Sequence, residues 1–91
     1  MKKCVVVYNP VSGKEKNKEC IEDFYTALKK YNYDLELIYT KSEGDAIDIV
    51  KKLHNPDLVI SAGGDGTLNE VINGNLSRDE RLLIGILPLG P

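Results

Sequence analysis

No stretch of this sequence is apolar for long enough to cross a bilayer. Its longest runs, Val5 to Tyr8 and Leu82 to Ile84, fall far short of the roughly 20 residues that a spanning helix needs. Lys2 and Lys3 before Cys4-Val5-Val6-Val7 imitate the start of a signal peptide, but the apolar run stops at Asn9-Pro10 and no small-residue cleavage site follows. A cytoplasmic location is the expectation. Charge of one sign is also lacking: 12 basic residues face 14 acidic ones for a net charge of −2. Without a basic surplus, nucleic acid is not an expected partner. Cysteine is scarce, and Cys4 in an apolar strand pattern and Cys20 in a helical one are expected to be reduced core residues rather than a bridge or metal pair. The single histidine, His54, falls near the end of a helical pattern, where an interaction with the helix dipole explains it better than catalysis. No HExxH, GxSxG or CxxC arrangement occurs, and repeats and low-complexity segments are absent.

What is present is the balance of a globular domain: 91 residues, 42% hydrophobic and 29% charged, enough for one modest core. Lys3 to Tyr8 is rich in valine and stopped by Asn-Pro, which fits a strand buried on both faces. From Lys16 the period changes, and Cys20, Ile21, Phe24, Tyr25, Leu28 and Tyr31 mark an amphipathic helix of about four turns. Leu35 to Thr40 reads as a second strand. Gly44-Asp45 opens a helix with Ala46, Ile47, Val50 and Leu53 on one side, ending near His54-Asn55-Pro56. Leu58 to Ser61 is a third strand, Thr67 to Asn73 a short helix, and Leu82 to Leu87 a fourth strand. This alternation predicts an α/β fold: a three-layer, Rossmann-like parallel sheet with helices on both faces. Ligands of such sheets sit beyond the carboxyl ends of the strands, so the informative residues follow each strand.

Gly63-Gly64-Asp65-Gly66-Thr67, between a buried strand and a helix, is the most specific feature. Its glycines allow positive φ and close approach of a ligand, and the helix start offers unpaired N–H groups and a partial positive charge, so a phosphate fits. Thr67-Leu68-Asn69-Glu70 also reads as a capping box, which on its own only stabilises a helix. A merely structural turn gains little from Asp65, whose carboxylate implies either a cation shared with phosphate or proton handling. The dinucleotide fingerprint fails at Asn69, where its third glycine belongs, and the Walker pattern fails around Gly13-Lys14. Asn9-Pro10-Val11-Ser12-Gly13-Lys14 brings an amide, a hydroxyl and a lysine to the same sheet edge, either as an ordinary turn or as ligand contacts. Thr40 either meets the same ligand or simply ends its strand. The five tyrosines, at 8, 25, 31, 33 and 39, are expected to pack rather than form a stacking platform.

Taken together, Val7-Tyr8-Asn9-Pro10-Val11-Ser12-Gly13-Lys14, Thr40 with Gly44-Asp45-Ala46, Ala62-Gly63-Gly64-Asp65-Gly66-Thr67-Leu68-Asn69-Glu70-Val71 and Gly85-Ile86-Leu87-Pro88-Leu89-Gly90 resemble the N-terminal nucleotide-binding domain of the diacylglycerol kinase and sphingosine kinase family, the bacterial soluble lipid kinases in particular. The central glycine motif is shared with NAD kinases, and Asn-Pro-x-Ser-Gly favours the lipid branch. The resemblance covers the whole chain, 1–91, as one ATP-binding domain, and implies transfer of the γ-phosphoryl group of ATP, with Mg²⁺, to a lipid hydroxyl. It places nucleotide contacts at Asn9, Pro10, Val11, Ser12 and Gly13, at Thr40, and at Gly64, Asp65, Gly66, Thr67, Leu68, Asn69 and Glu70, with Asp65 as the catalytically sensitive residue. Family members continue past the position of Gly90 into a β-rich domain that closes the cleft, meets the lipid and supplies metal ligands and a catalytic base. The expectation is thus a truncated kinase portion, inactive alone and prone to self-association, with membrane contact left to the longer protein. The alternatives are the matching half of an NAD kinase-like enzyme and a non-catalytic nucleotide-binding or assembly module.

Overall fold

Five of the seven residues of β1 (Lys2–Tyr8) are buried, and its side chains alternate between two separate cores. That division decides the architecture. A computed structural model describes residues 1–10 and 15–89, in the order β1, α1 (Glu15–Lys30), β2 (Tyr33–Tyr39), α2 (Asp45–Lys52), β3 (Leu58–Gly63), α3 (Asp65–Leu76) and β4 (Ile84–Pro88). The four strands form one sheet in the order β2-β1-β3-β4, and every pairing is parallel. Cys4, Val6 and Tyr8 pack with Ile21 and Leu28 of α1, while Val5 and Val7 pack with Ala46 and Val50 of α2 and Val71 of α3. Helices thus cover both faces, as the valine-rich strand pattern requires, and the expected three-layer Rossmann-like α/β fold is the fold observed.

The boundaries move for identifiable reasons. β2 begins at Tyr33 rather than Leu35 because Tyr33 and Asp34 pair with Lys2 and Lys3. β3 runs on through Gly63, which pairs with Pro88. β4 starts at Ile84 rather than Leu82, since the main chain of Leu82 is taken by the Asn75 side chain: the Leu82 N–H donates to Oδ1 at 2.8 Å and Nδ2 donates to the Leu82 carbonyl at 3.0 Å. α2 stops at Lys52, short of His54. Arg78 caps its end, Nη1 donating to the carbonyls of Val50 at 2.8 Å and Leu53 at 2.9 Å. These are the carbonyls a helix end leaves without partners.

Cys20 of α1 is exposed and not the core residue its spacing suggests, whereas Cys4 is fully buried. The buried stripe of α1 is Ile21 and Leu28, with Phe24 packed beside them; Tyr25 and Tyr31 face solvent. Of the tyrosines only Tyr8 is buried, its ring 5.5 Å from that of Tyr39. α2 and α3 pack closely at Gly74, where a Cβ would come within 2.7 Å of the Ile47 carbonyl oxygen. No helix among the described residues is long and apolar enough to cross a membrane.

Candidate functional site

The parallel ladder extends one residue past each strand, and this brings the loops into line. The Asn9 N–H donates to the Ala62 carbonyl at 3.1 Å, the Thr40 N–H to the Tyr8 carbonyl at 2.8 Å, and the Leu89 N–H to the Gly63 carbonyl at 3.1 Å. Asn9, Thr40 and the glycine turn therefore share the carboxyl edge of the sheet. Across it, Asn9 Nδ2 donates to Thr67 Oγ1 at 3.3 Å.

α3 starts at Asp65, two residues before the start expected at Thr67, with Gly64 as its N-cap and no side-chain cap bond. The capping box is not formed. Thr67 lies inside the helix and turns to Asn9, while Glu70 reaches to another helix: its Oε1 accepts from the Gly44 N–H at 3.1 Å and the Ala46 N–H at 3.2 Å. These amides open α2, whose own N-cap, Gly44, sits at φ 90° and supplies no side-chain bond. The glycines of the turn, in contrast, do not use positive φ; Gly44 is the one described glycine that does. Their purpose is space. A Cβ on Gly63 would come within 2.7 Å of Thr67 Oγ1, whereas on Gly64 or Gly66 it would meet nothing within 4 Å.

A cavity of about 340 Å³ opens beside the turn, lined by Asn9, Thr40, Gly66, Thr67 and Glu70, five of the residues read from sequence. Lys41, Ser42, Glu43 and Ala46 complete its wall. Lys41, Ser42 and Glu43 belong to the segment 40–45 that follows a strand end and Ala46 to the motif after it, yet of these residues only Thr40 was expected to contact a ligand. The shape of the segment is fixed by Asp45, whose Oδ2 accepts from the Lys41 N–H at 2.7 Å and the Ser42 N–H at 3.1 Å. Gly64, Asp65 and Leu68 line a second depression of about 240 Å³, shared with Ser61, Gly63, Ile86 and Pro88. Asn69 and Pro10 are exposed and line neither depression. Val11, Ser12 and Gly13 lie outside the described residues.

Residues 3–91 match the diacylglycerol kinase catalytic domain. The chain belongs to this family. It is 42% identical over 93 residues to a diacylglycerol kinase of Staphylococcus haemolyticus, covering 99% of this chain and 28% of that protein. It is 41% identical over 91 residues to one of Staphylococcus aureus, covering 98% and 29%. A crystal structure of a diacylglycerol kinase from Bacillus anthracis superposes with a TM-score of 0.76 at 30% identity, over 98% of this chain and 33% of that one. The chain thus spans about three-tenths of the length of these diacylglycerol kinase relatives. Among its described residues no group of three or more His, Cys, Asp or Glu side chains could hold a metal ion.

Proposed function

We propose that this chain is the ATP-binding portion of a lipid kinase that transfers the γ-phosphoryl group of ATP to a lipid hydroxyl such as that of diacylglycerol. The observation that carries the reading is the open space before Gly64 and Gly66 at an uncapped helix start, in a member of the diacylglycerol kinase family. The leading N–H groups of α3 and its dipole favour an anion there. Gly64, Gly66 and Thr67 would hold phosphate oxygens, while Asn9, Ser12 and Thr40 orient the nucleotide. Such transfer is mostly positioning and charge neutralisation, which suits a preformed cradle on a rigid sheet.

Mg²⁺ is usually bound by one or two carboxylates together with substrate phosphates rather than by a protein cage. The exposed Asp65, one residue from the phosphate seat, fits that donor set; Mg²⁺ there supplies positive charge to the phosphates. Asp65 is the catalytically sensitive residue of the turn in this reading. Phosphoryl transfer by residues 1–91 alone is expected to be slight, because they span about three-tenths of the length of the related kinases. Leu83 and Ile86 are exposed just before and on the edge strand β4, which supports self-association of the isolated chain; a monomeric sedimentation profile at high concentration contradicts it.

The test is an assay of a longer chain continuing past Pro91, offered diacylglycerol, a sphingoid base and NAD. Phosphorylation of a lipid, abolished by Asp65→Asn with the fold intact, supports the proposal. Phosphorylation of NAD alone overturns the lipid reading, and undiminished turnover in Asp65→Asn removes Asp65 from the mechanism.

A further inference from the structure

Glu70 lines the cavity beside Thr40 and Thr67, yet its one bonded oxygen is committed elsewhere: Oε1 receives the N–H groups of both Gly44 and Ala46. Those amides belong to the start of α2, immediately after the segment that carries Thr40, Lys41, Ser42 and Glu43. The segment is already tied to itself, through the Asp45 carboxylate and the Asp45 N–H donating to the Ser42 carbonyl at 3.2 Å. What it lacks is an anchor to the other wall. Glu70 is that anchor, projecting from the helix whose first turn carries Gly66 and Thr67. One turn further along α3, Gly74 sits against Ile47 and Val50, so the two helices meet at successive turns of α3.

We propose that Glu70 is a positioning residue: it sets the width of the nucleotide cavity by fastening the start of α2 to α3, rather than by bonding the nucleotide through its charge. The proposal rests on the nucleotide reading and assigns Glu70 a different role from the ligand contact that the family resemblance implies. The geometry makes the two roles separable. Both amides converge on a single oxygen, so a glutamine carbonyl can replace it, whereas a carboxylate acting on ligand or cation cannot be replaced in that way.

The experiment measures amide hydrogen exchange at Gly44 and Ala46 without nucleotide, and Mg-ATP affinity, in the wild-type chain, Glu70→Ala and Glu70→Gln. In Glu70→Ala both amides are expected to exchange faster and ATP to bind more weakly, each by about tenfold or more, the scale of losing hydrogen bonds to a charged acceptor. Glu70→Gln should rescue most of both losses. Two outcomes overturn the proposal: exchange at Gly44 and Ala46 unchanged in Glu70→Ala, or Glu70→Gln protecting both amides while binding ATP as weakly as Glu70→Ala. If Glu70→Ala does not fold, Glu70→Gln against wild type decides by the same two readouts. Absence of ATP binding to the wild type defeats the nucleotide reading instead, and the exchange data then still judge the anchor.

Discussion

Asn9, one residue past β1, and Thr67, in the first turn of α3, are joined by a hydrogen bond from the Asn9 side-chain amide to the Thr67 hydroxyl at 3.3 Å. They are 58 residues apart in sequence, and the sheet order brings them together because β1 and β3 are neighbours. The bond ties Asn9 to the start of α3, so Asn9, Gly66 and Thr67 line one cavity. Thr67 is 6% exposed, which makes its hydroxyl a fixed part of that wall.

Gly63→Ala should disturb this bond first. The added Cβ would sit 2.7 Å from Thr67 Oγ1 and 3.0 Å from Thr67 Cβ, both parts of a short, buried side chain with little room to give. A loss of about 1–3 kcal/mol of stability is expected, the usual cost of overpacking, with weaker nucleotide binding. Urea unfolding measures it; a variant as stable as the wild type would show that Thr67 moves freely.

Gly66→Ala should behave in the opposite way. Its Cβ meets no protein atom within 4 Å, and alanine in a helix is favoured over glycine by up to about 1 kcal/mol. Stability should hold or rise while ATP affinity falls, because the new methyl group enters the space assigned to phosphate. Calorimetric titration beside thermal unfolding checks both, and unchanged affinity would move the phosphate away from Gly66.

The layered fold was legible because valine occupies both faces of the first strand and each helix carries an apolar stripe. The strand order was not, since several parallel orders satisfy the same pattern and only contacts between distant segments, such as Cys4 with Leu58, select one. In the site, Gly66 and Thr67 were visible from glycine chemistry beside a helix start. The role of Glu70 was misread because spacing inside one helix says nothing about a partner on another, and a capping box and an interhelical anchor share the same four letters. Cys20 was misplaced because periodicity identifies a stripe without fixing its edges.

Arg78 presents a further case that spacing does not reveal. Its guanidinium donates to the carbonyls of Val50 and Leu53 and, through Nη2, to Asn55 Oδ1 at 2.8 Å. Arg78→Ala should cost about 2–3 kcal/mol, the scale of hydrogen bonds to a charged group. Arg78→Lys should recover little, because a single ammonium does not reproduce the planar fork. Chemical denaturation of the two variants checks this, and full recovery with lysine would show that charge alone suffices.

Cys4 ties stability to alkaline pH. Burial pushes its thiol from 9.0 up to about 11, because the thiolate is poorly solvated inside the sheet. The folded state therefore keeps the proton where the unfolded chain releases it. The contribution is fully present below about pH 9 and is lost as pH rises toward about 11, at up to about 1.4 kcal/mol per pH unit. Unfolding free energies between those limits should fall less steeply in Cys4→Ala than in the wild type; parallel slopes would contradict the burial argument.

The most direct test of the central claim is a titration of Mg-ATP into residues 1–91, followed through backbone amide shifts. Saturable movement is expected at Gly64, Gly66 and Thr67, with Thr40 to Glu43 following on the opposite wall. Resonances of those residues that stay in place up to millimolar nucleotide, while the rest of the spectrum shows a folded chain, would contradict it.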